Sequence, residues 1–172
     1  MNVDSSISGL YQFGMFPAES DEMMRTMAVI RARLTIKTDV GGVARYENDY
    51  YHQVSQDIAN VPGNPWFICS CWLAEYAVAR AQTLDELHDA IPLLQWVAER
   101  ALPSGVLAEQ INPYTDEPLS VSPLTWSHAE YVSAVRWYLG KHRRFEVDAV
   151  QAQTHASPTV AAAAVDARRA NG

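Results

Sequence analysis

The chain is short of cysteine, of clustered positive charge and of long apolar runs, and each shortage removes a class of protein. Its two cysteines, Cys69 and Cys71, stand two apart in a segment that reads as helix. Their side chains then point to nearly opposite faces and do not pair. Without metal-like spacing they read as small buried hydrophobes of a protein in a reducing compartment. Basic residues number 13 against 20 acidic ones, for a net charge of −7, which argues against a nucleic-acid partner. The one dense basic run, Lys141-His142-Arg143-Arg144, reads as a solvated helix end. No apolar run approaches the roughly 18 residues of a membrane span, and no charged-then-apolar leader opens the chain. The expectation is a cytoplasmic protein without a membrane partner. The histidines are scattered without ligand spacing, and no Gly-rich phosphate loop, nucleophile elbow or Cys-His pair occurs, so neither a catalytic metal nor a cofactor is expected.

What the chain does have is apolar mass and tryptophan. At 172 residues, 48% of them hydrophobic, it can close one core. Five Trp and eight Tyr suit either a helical core or a sugar-binding cleft, because each ring joins a flat apolar body to a polar edge. Residues 1–19 read as loop with a short helical turn near Ser8 to Gln12. Ser20 caps a helix that carries Met23, Met27, Ile30 and Leu34 on one stripe and runs to about Ile36. Asn64, with Pro65 at N1, opens a second helix, apolar nearly all round from Trp66 to Ala81 and therefore buried on several sides. Thr83 and Glu86 form a capping box, and Pro92 restarts the following helix near Ala90. Ser122-Pro123 starts a last helix with Leu124, His128, Tyr131, Val135 and Leu139 along one side. Residues 145–172 are Ala-rich, lose their aromatics and read as a disordered tail. The prediction is an all-α protein of four or five helices, with no convincing strand.

Two long loops hold the unusual residues. The first, Asp39 to Gly63, contains Gly41-Gly42-Val43-Ala44-Arg45-Tyr46-Glu47 and ends in Gly63-Asn64-Pro65-Trp66-Phe67. The second, Leu102 to Ser122, contains Glu109-Gln110 and leads into Leu124-Thr125-Trp126-Ser127-His128-Ala129. Loops this long in a compact domain are commonly functional. Asp116 and Glu117 read as turn residues, and His128 as a hydrogen-bonded core residue.

Together these segments resemble glycoside hydrolase family 15, the glucoamylases with their glucodextranase and trehalase relatives, over roughly residues 5–139. The resemblance implies part of an (α/α)6 barrel, with residues 1–144 as a C-terminal portion of the catalytic domain. It implies inverting hydrolysis of an α-linked glucoside, an oligosaccharide or disaccharide, with Glu109 as general base. Arg45 would bind sugar hydroxyls through its five-donor fork. Glu47 and Asp49 are close enough in sequence to set its rotamer, Glu47 and Gln110 would also bind substrate, and Trp66 and Trp126 would line the cleft. Two features depart from the family. A whole barrel has twelve helices, and the general acid sits in a Trp-Glu context that this sequence lacks. The resemblance therefore implies an N-terminal half supplied from elsewhere. The alternatives are a non-catalytic remnant, a carbohydrate-binding module, or a helical interaction protein.

Overall fold

The computed structural model describes residues 2–156. It is mostly helical and forms an open arc of helices rather than a closed barrel. A 3-10 turn at Ser5–Ser8 runs into α1 (Gly9–Gln12), followed by α2 (Asp21–Leu34), α3 (Phe67–Arg80), α4 (Leu84–His88), α5 (Ile91–Glu99) and α6 (Thr125–Ala156). Between α5 and α6 lies a two-stranded antiparallel ribbon, β1 (Gln110–Ile111) and β2 (Pro118–Leu119), with Gln110 opposite Leu119. The sequence pattern did not announce this ribbon, because two-residue strands are too short to show alternation.

The central element is α3. Its all-round apolar surface is buried on both sides, with Phe67, Ile68, Cys69, Cys71 and Ala74 all at 1% exposure or less. One face joins Cys69, Ile68 and Leu73 to Met23, Met27, Ile30 and Leu34 of α2. The other joins Phe67, Cys71 and Val78 to Leu87, Leu94, Val97, Leu107 and Ala134. The two cysteines thus enter opposite halves of the core and stay free, as their helical spacing requires.

Caps fix the helix starts. Ser20 Oγ accepts from Met23 N at 3.3 Å, and Thr83 Oγ1 accepts from Glu86 N at 3.2 Å. The Glu86 carboxylate closes the second box one residue early, on Gln82 N at 2.7 Å. Residues 89–90 separate α4 from α5, which Pro92 opens in its first turn.

Four expectations change. Asn64 does not cap α3: Trp66 holds that position without a side-chain bond, while buried Asn64 bonds across to the second loop. Lys141 is not a solvated helix end. Its ammonium donates to Val78 O and Ala79 O, both at 2.7 Å, and so neutralises the C-terminal carbonyls of α3. Leu139 is half exposed instead of lying on the packed side of α6. And α6 continues past Phe145 to Ala156, so the start of the expected tail is helical; residues 157–172 lie outside those described.

Candidate active site

Both long loops meet at the N-terminal end of α3. The first is pinned by backbone bridges from Thr35 to Val43 and from Ala44 to Pro65, and by Ser5, whose N and Oγ both donate to Arg45 O at 2.8 Å. Gly42 makes this approach possible. It sits at φ +88°, and a Cβ there would lie 2.4 Å from the Trp96 ring and 2.7 Å from Pro65 Cβ. The second loop is tied on by Ile111 N to Pro65 O at 3.0 Å and by a bridge between Trp66 and Gln110. Asn64 rivets the two: its amide donates to His52 O at 2.7 Å and to Gln110 Oε1 at 2.8 Å.

Arg45 lies at this junction. Its Nε and Nη2 donate to the two Asp49 oxygens at 2.9 and 2.8 Å, a bidentate pair of the kind a guanidinium fork favours. Asp49 is 1% exposed and also accepts from Tyr51 N at 3.0 Å. The guanidinium carbon stands 4.4 Å from the Trp66 ring centroid, 4.8 Å from Tyr46 and 5.5 Å from Tyr51. Three aromatic faces and one carboxylate therefore hold a cation that keeps about a third of its side chain open to solvent.

Glu109 reaches the same surface from the second loop. Its backbone is fixed at both ends, N to Val121 O at 2.9 Å and O from Phe67 N at 3.4 Å. Its carboxylate accepts the hydroxyl of Ser120, and Ser120 Oγ lies 3.4 Å from Tyr51 OH. Tyr51 spans the two loops: its hydroxyl lies beside Ser120, which donates to Glu109, and its backbone N–H donates to Asp49, which holds Arg45. Ser120, Asn48 and His52 have φ between +52° and +63°, and clustering of such backbone at one place is common where side chains must be aimed.

The other expected site residues divide. Gln110 is fully buried behind Glu109, and Trp66 is buried beneath Arg45. Gln110 Nε2 and Trp66 Nε1 have no hydrogen-bond partner among the described residues. Glu47 turns away from Arg45: its carboxylate pairs with Arg33 at 2.5 Å and accepts from Val3 N at 2.9 Å. Trp126 is half exposed, edge-on to Trp72 at 5.9 Å and bonded to Glu130 at 3.2 Å, on α6 instead of at the loop junction. His128 Nε2 accepts from Leu107 N at 3.0 Å and so buttresses the second loop as a structural histidine. Asp116 occupies a turn with φ +63°. Ser120 and Tyr51 are the members that sequence reasoning missed; Tyr51 at least stands in the first loop, four residues after Glu47. No group of three or more His, Cys, Asp or Glu among the described residues could hold a metal, and none of their helices is long and apolar enough to cross a membrane.

The described residues thus form a mostly helical unit with Glu109 and Arg45 on the two loops that meet at α3. Residues 2–136 match the model for glycosyl hydrolases family 15, and the chain belongs to that family. It is 31% identical over 140 residues to an uncharacterized glycosyl hydrolase, MJ1610, of Methanocaldococcus jannaschii, covering 76% of this chain and 21% of that protein. It is 28% identical over 135 residues to a glucoamylase of Clostridium sp. (strain G0005), covering 76% and 18%. Among solved structures, a bacterial glucoamylase complexed with acarbose superposes with a TM-score of 0.69 at 24% identity, over 84% of this chain and 23% of the other. A wild-type glycosidase gives 0.65 over 82% and 37%. The chain thus spans about a fifth of the length of the curated relatives it matches.

Proposed function

We propose that this chain is the base-bearing portion of an inverting, glucoamylase-like hydrolase of α-linked glucosides, with Glu109 as the general base. The observation that carries this is the junction at which Tyr51 meets Ser120, the partner of Glu109, and Asp49, the partner of Arg45. It sets a carboxylate and a firmly held, partly open guanidinium on one surface. In inverting hydrolysis one carboxylate takes a proton from the water that attacks the anomeric carbon, while an acid on the other side protonates the leaving oxygen. Glu109 fills the first role. Arg45 offers its remaining N–H donors to sugar hydroxyls, with Asp49 setting its orientation. Trp66 serves as the floor under the guanidinium, and Gln110 as the buried prop behind the base. The acid comes from the rest of the barrel, since the sequence contains no Trp-Glu pair.

The test is co-expression of this chain with the part of the Clostridium sp. glucoamylase outside its 135-residue match, assayed on maltose and trehalose. Glu109→Gln is expected to lower kcat by about 10²–10⁴-fold, and NMR of trehalose cleavage by the wild-type complex should show β-glucose from the attacked ring and α-glucose from the leaving one in equal initial amounts. Full activity in the variant, or α-glucose alone as the initial product from trehalose, would overturn the assignment. Maltose binding without turnover in the wild-type complex would favour the non-catalytic remnant, the reading suggested by the missing acid.

A further inference from the structure

Two hydroxyl pairs join the loop that carries Arg45 to the loop that carries Glu109, and they run in opposite senses. Tyr51 of the first loop reaches Ser120 of the second, OH to Oγ, at 3.4 Å. Further along, Ser55 of the first loop meets Tyr114 of the second, Oγ to OH, at 2.6 Å. Tyr51–Ser120 lies beside Glu109, whereas Tyr114 sits in the turn at the other end of the β-ribbon. Between the two pairs, Val54 N donates to Asn64 Oδ1 at 3.3 Å, and the Asn64 amide donates to Gln110. The segment from Tyr51 to Ser55 is thus laid along the ribbon and fastened at both ends.

The ribbon needs fastening from outside. With two residues per strand it lacks the length that makes a hairpin stable by itself. Its turn is shaped locally, because Asn112 Oδ1 accepts from Tyr114 N at 2.9 Å and from Thr115 N at 3.2 Å. Where the turn stands is set by other elements. Thr38 Oγ1 donates to Pro113 O at 2.5 Å, and Arg100, just past α5, pairs with Asp116 at 2.7 Å. Tyr114–Ser55 ties the same turn to the segment that follows Asp49, the partner of Arg45.

Burial does not account for this pair. Ser55 is 5% exposed, but Tyr114 remains 52% exposed, so its ring withdraws little apolar area from water. Ser55 Oγ also accepts from Asp57 N at 3.1 Å, which sets its rotamer independently of Tyr114. A half-exposed ring with its hydroxyl held at 2.6 Å contributes placement more than core.

We propose that Tyr114 and Ser55 are a positioning pair for the hydrolysis. Their hydroxyl bond fixes the Glu109 loop against the Arg45 loop, and so the base relative to the sugar that Arg45 holds. Rates are sensitive to such a setting, since misplacing reacting groups by about 1 Å can cost about 10²-fold. The catalytic consequence rests on the reading of Glu109 as base given above; the coupling of the two loops does not.

Hydrogen exchange on the full chain reads the coupling, and kinetics of its complex with the complementary portion of the Clostridium sp. glucoamylase read its use. Tyr114→Phe deletes one hydroxyl and keeps the ring. In the chain it should speed exchange of the amides of residues 51–55 and 119–121 about fivefold, with the circular dichroism spectrum unchanged. In the complex it should lower kcat on maltose about tenfold with KM nearly unchanged. Ser55→Ala should do the same, and the double variant should lose no more than either single one, because both delete one bond. Ser55→Thr, which keeps a hydroxyl, should restore both readings. Wild-type exchange and turnover in Tyr114→Phe, or losses that multiply in the double variant, would overturn the pair. So would a change confined to KM that grows from maltose to maltotriose, since the ring would then be a sugar contact. An inert wild-type complex, or full activity in Glu109→Gln, defeats the hydrolase reading and with it the catalytic use, while faster exchange in both single variants still upholds the coupling. An active, Glu109-dependent complex whose kcat ignores both hydroxyls overturns the positioning pair and leaves the hydrolase reading standing.

Discussion

Ser120 donates its hydroxyl to the Glu109 carboxylate from a backbone at φ +63°. That conformation is uncommon for a residue with a side chain, and here it aims the hydroxyl across the β-ribbon at the carboxylate. On the proposed reading of Glu109 as general base, Ser120 is a positioning residue for it. Ser120→Gly keeps the backbone angle and deletes the hydroxyl. In the reconstituted enzyme it should lower kcat about tenfold, with KM nearly unchanged and the urea midpoint of the chain equal or slightly raised. A parallel loss in KM would mean that Ser120 binds substrate directly.

Asp49 holds Arg45 from below and is almost fully buried, so its removal leaves a guanidinium half-stripped of water and without a counter-charge. Asp49→Ala should destabilise the chain by about 2–4 kcal/mol in urea unfolding. Asp49→Asn keeps the volume and one of the two acceptors and should lose less. The double variant Arg45→Met, Asp49→Asn should recover part of the loss, because it removes the unpaired charge. If Asp49→Ala were neutral, the pair would contribute to aim alone.

What the sequence makes legible is what one segment decides for itself. The stripe Met23, Met27, Ile30, Leu34 marks α2 because one-sided burial imposes the helical period. The spacing of Cys69 and Cys71 tells which sides of α3 they face. Glu109 and Arg45 stand out by their local motifs, and the proposed function rests on them. Features set by distant partners were not. Asn64 has the local signature of a cap, yet a bond to Gln110, 46 residues away, outweighs it. Glu47 stands two positions from Arg45 but answers to Arg33. Nothing near Ser120 in sequence announces a link to Glu109, since the ribbon that creates it is two residues per strand. The Ala-rich stretch after Phe145 was read by its lack of aromatics, whereas alanine is the strongest helix former, and α6 runs on through Ala156.

Gly42 is where the first loop touches α5. Any side chain there meets the Trp96 ring and Pro65 at well under contact distance, at a φ that only glycine adopts freely. Trp96 cannot yield easily, because its Nε1 donates to Val40 O at 2.7 Å. Gly42→Ala should therefore combine backbone strain with overpacking and lower stability by about 2–4 kcal/mol. Loss of the Trp96 fluorescence signature of the native state would accompany it. Gly105, also at positive φ (+80°) but with open space around it, is the control: alanine there should show the conformational penalty alone, about 1 kcal/mol.

Glu75 gives the isolated chain a pH dependence of known sign. Burial, then the charge of Glu130, pushes its carboxyl up to about 7 from an ordinary 4.5. Between those two values the native chain holds a proton that the unfolded chain has released, so stability falls as pH rises from about 4.5 to 7 and levels off above. The size of the fall is on the order of 1–3 kcal/mol. Glu75→Gln imitates the protonated acid in shape and charge. The variant should match wild type in urea unfolding at pH 5 and exceed it at pH 7.5, a divergence that uniform stabilisation by the amide would not produce. Equal differences at both values would show that Glu75 does not titrate in this window.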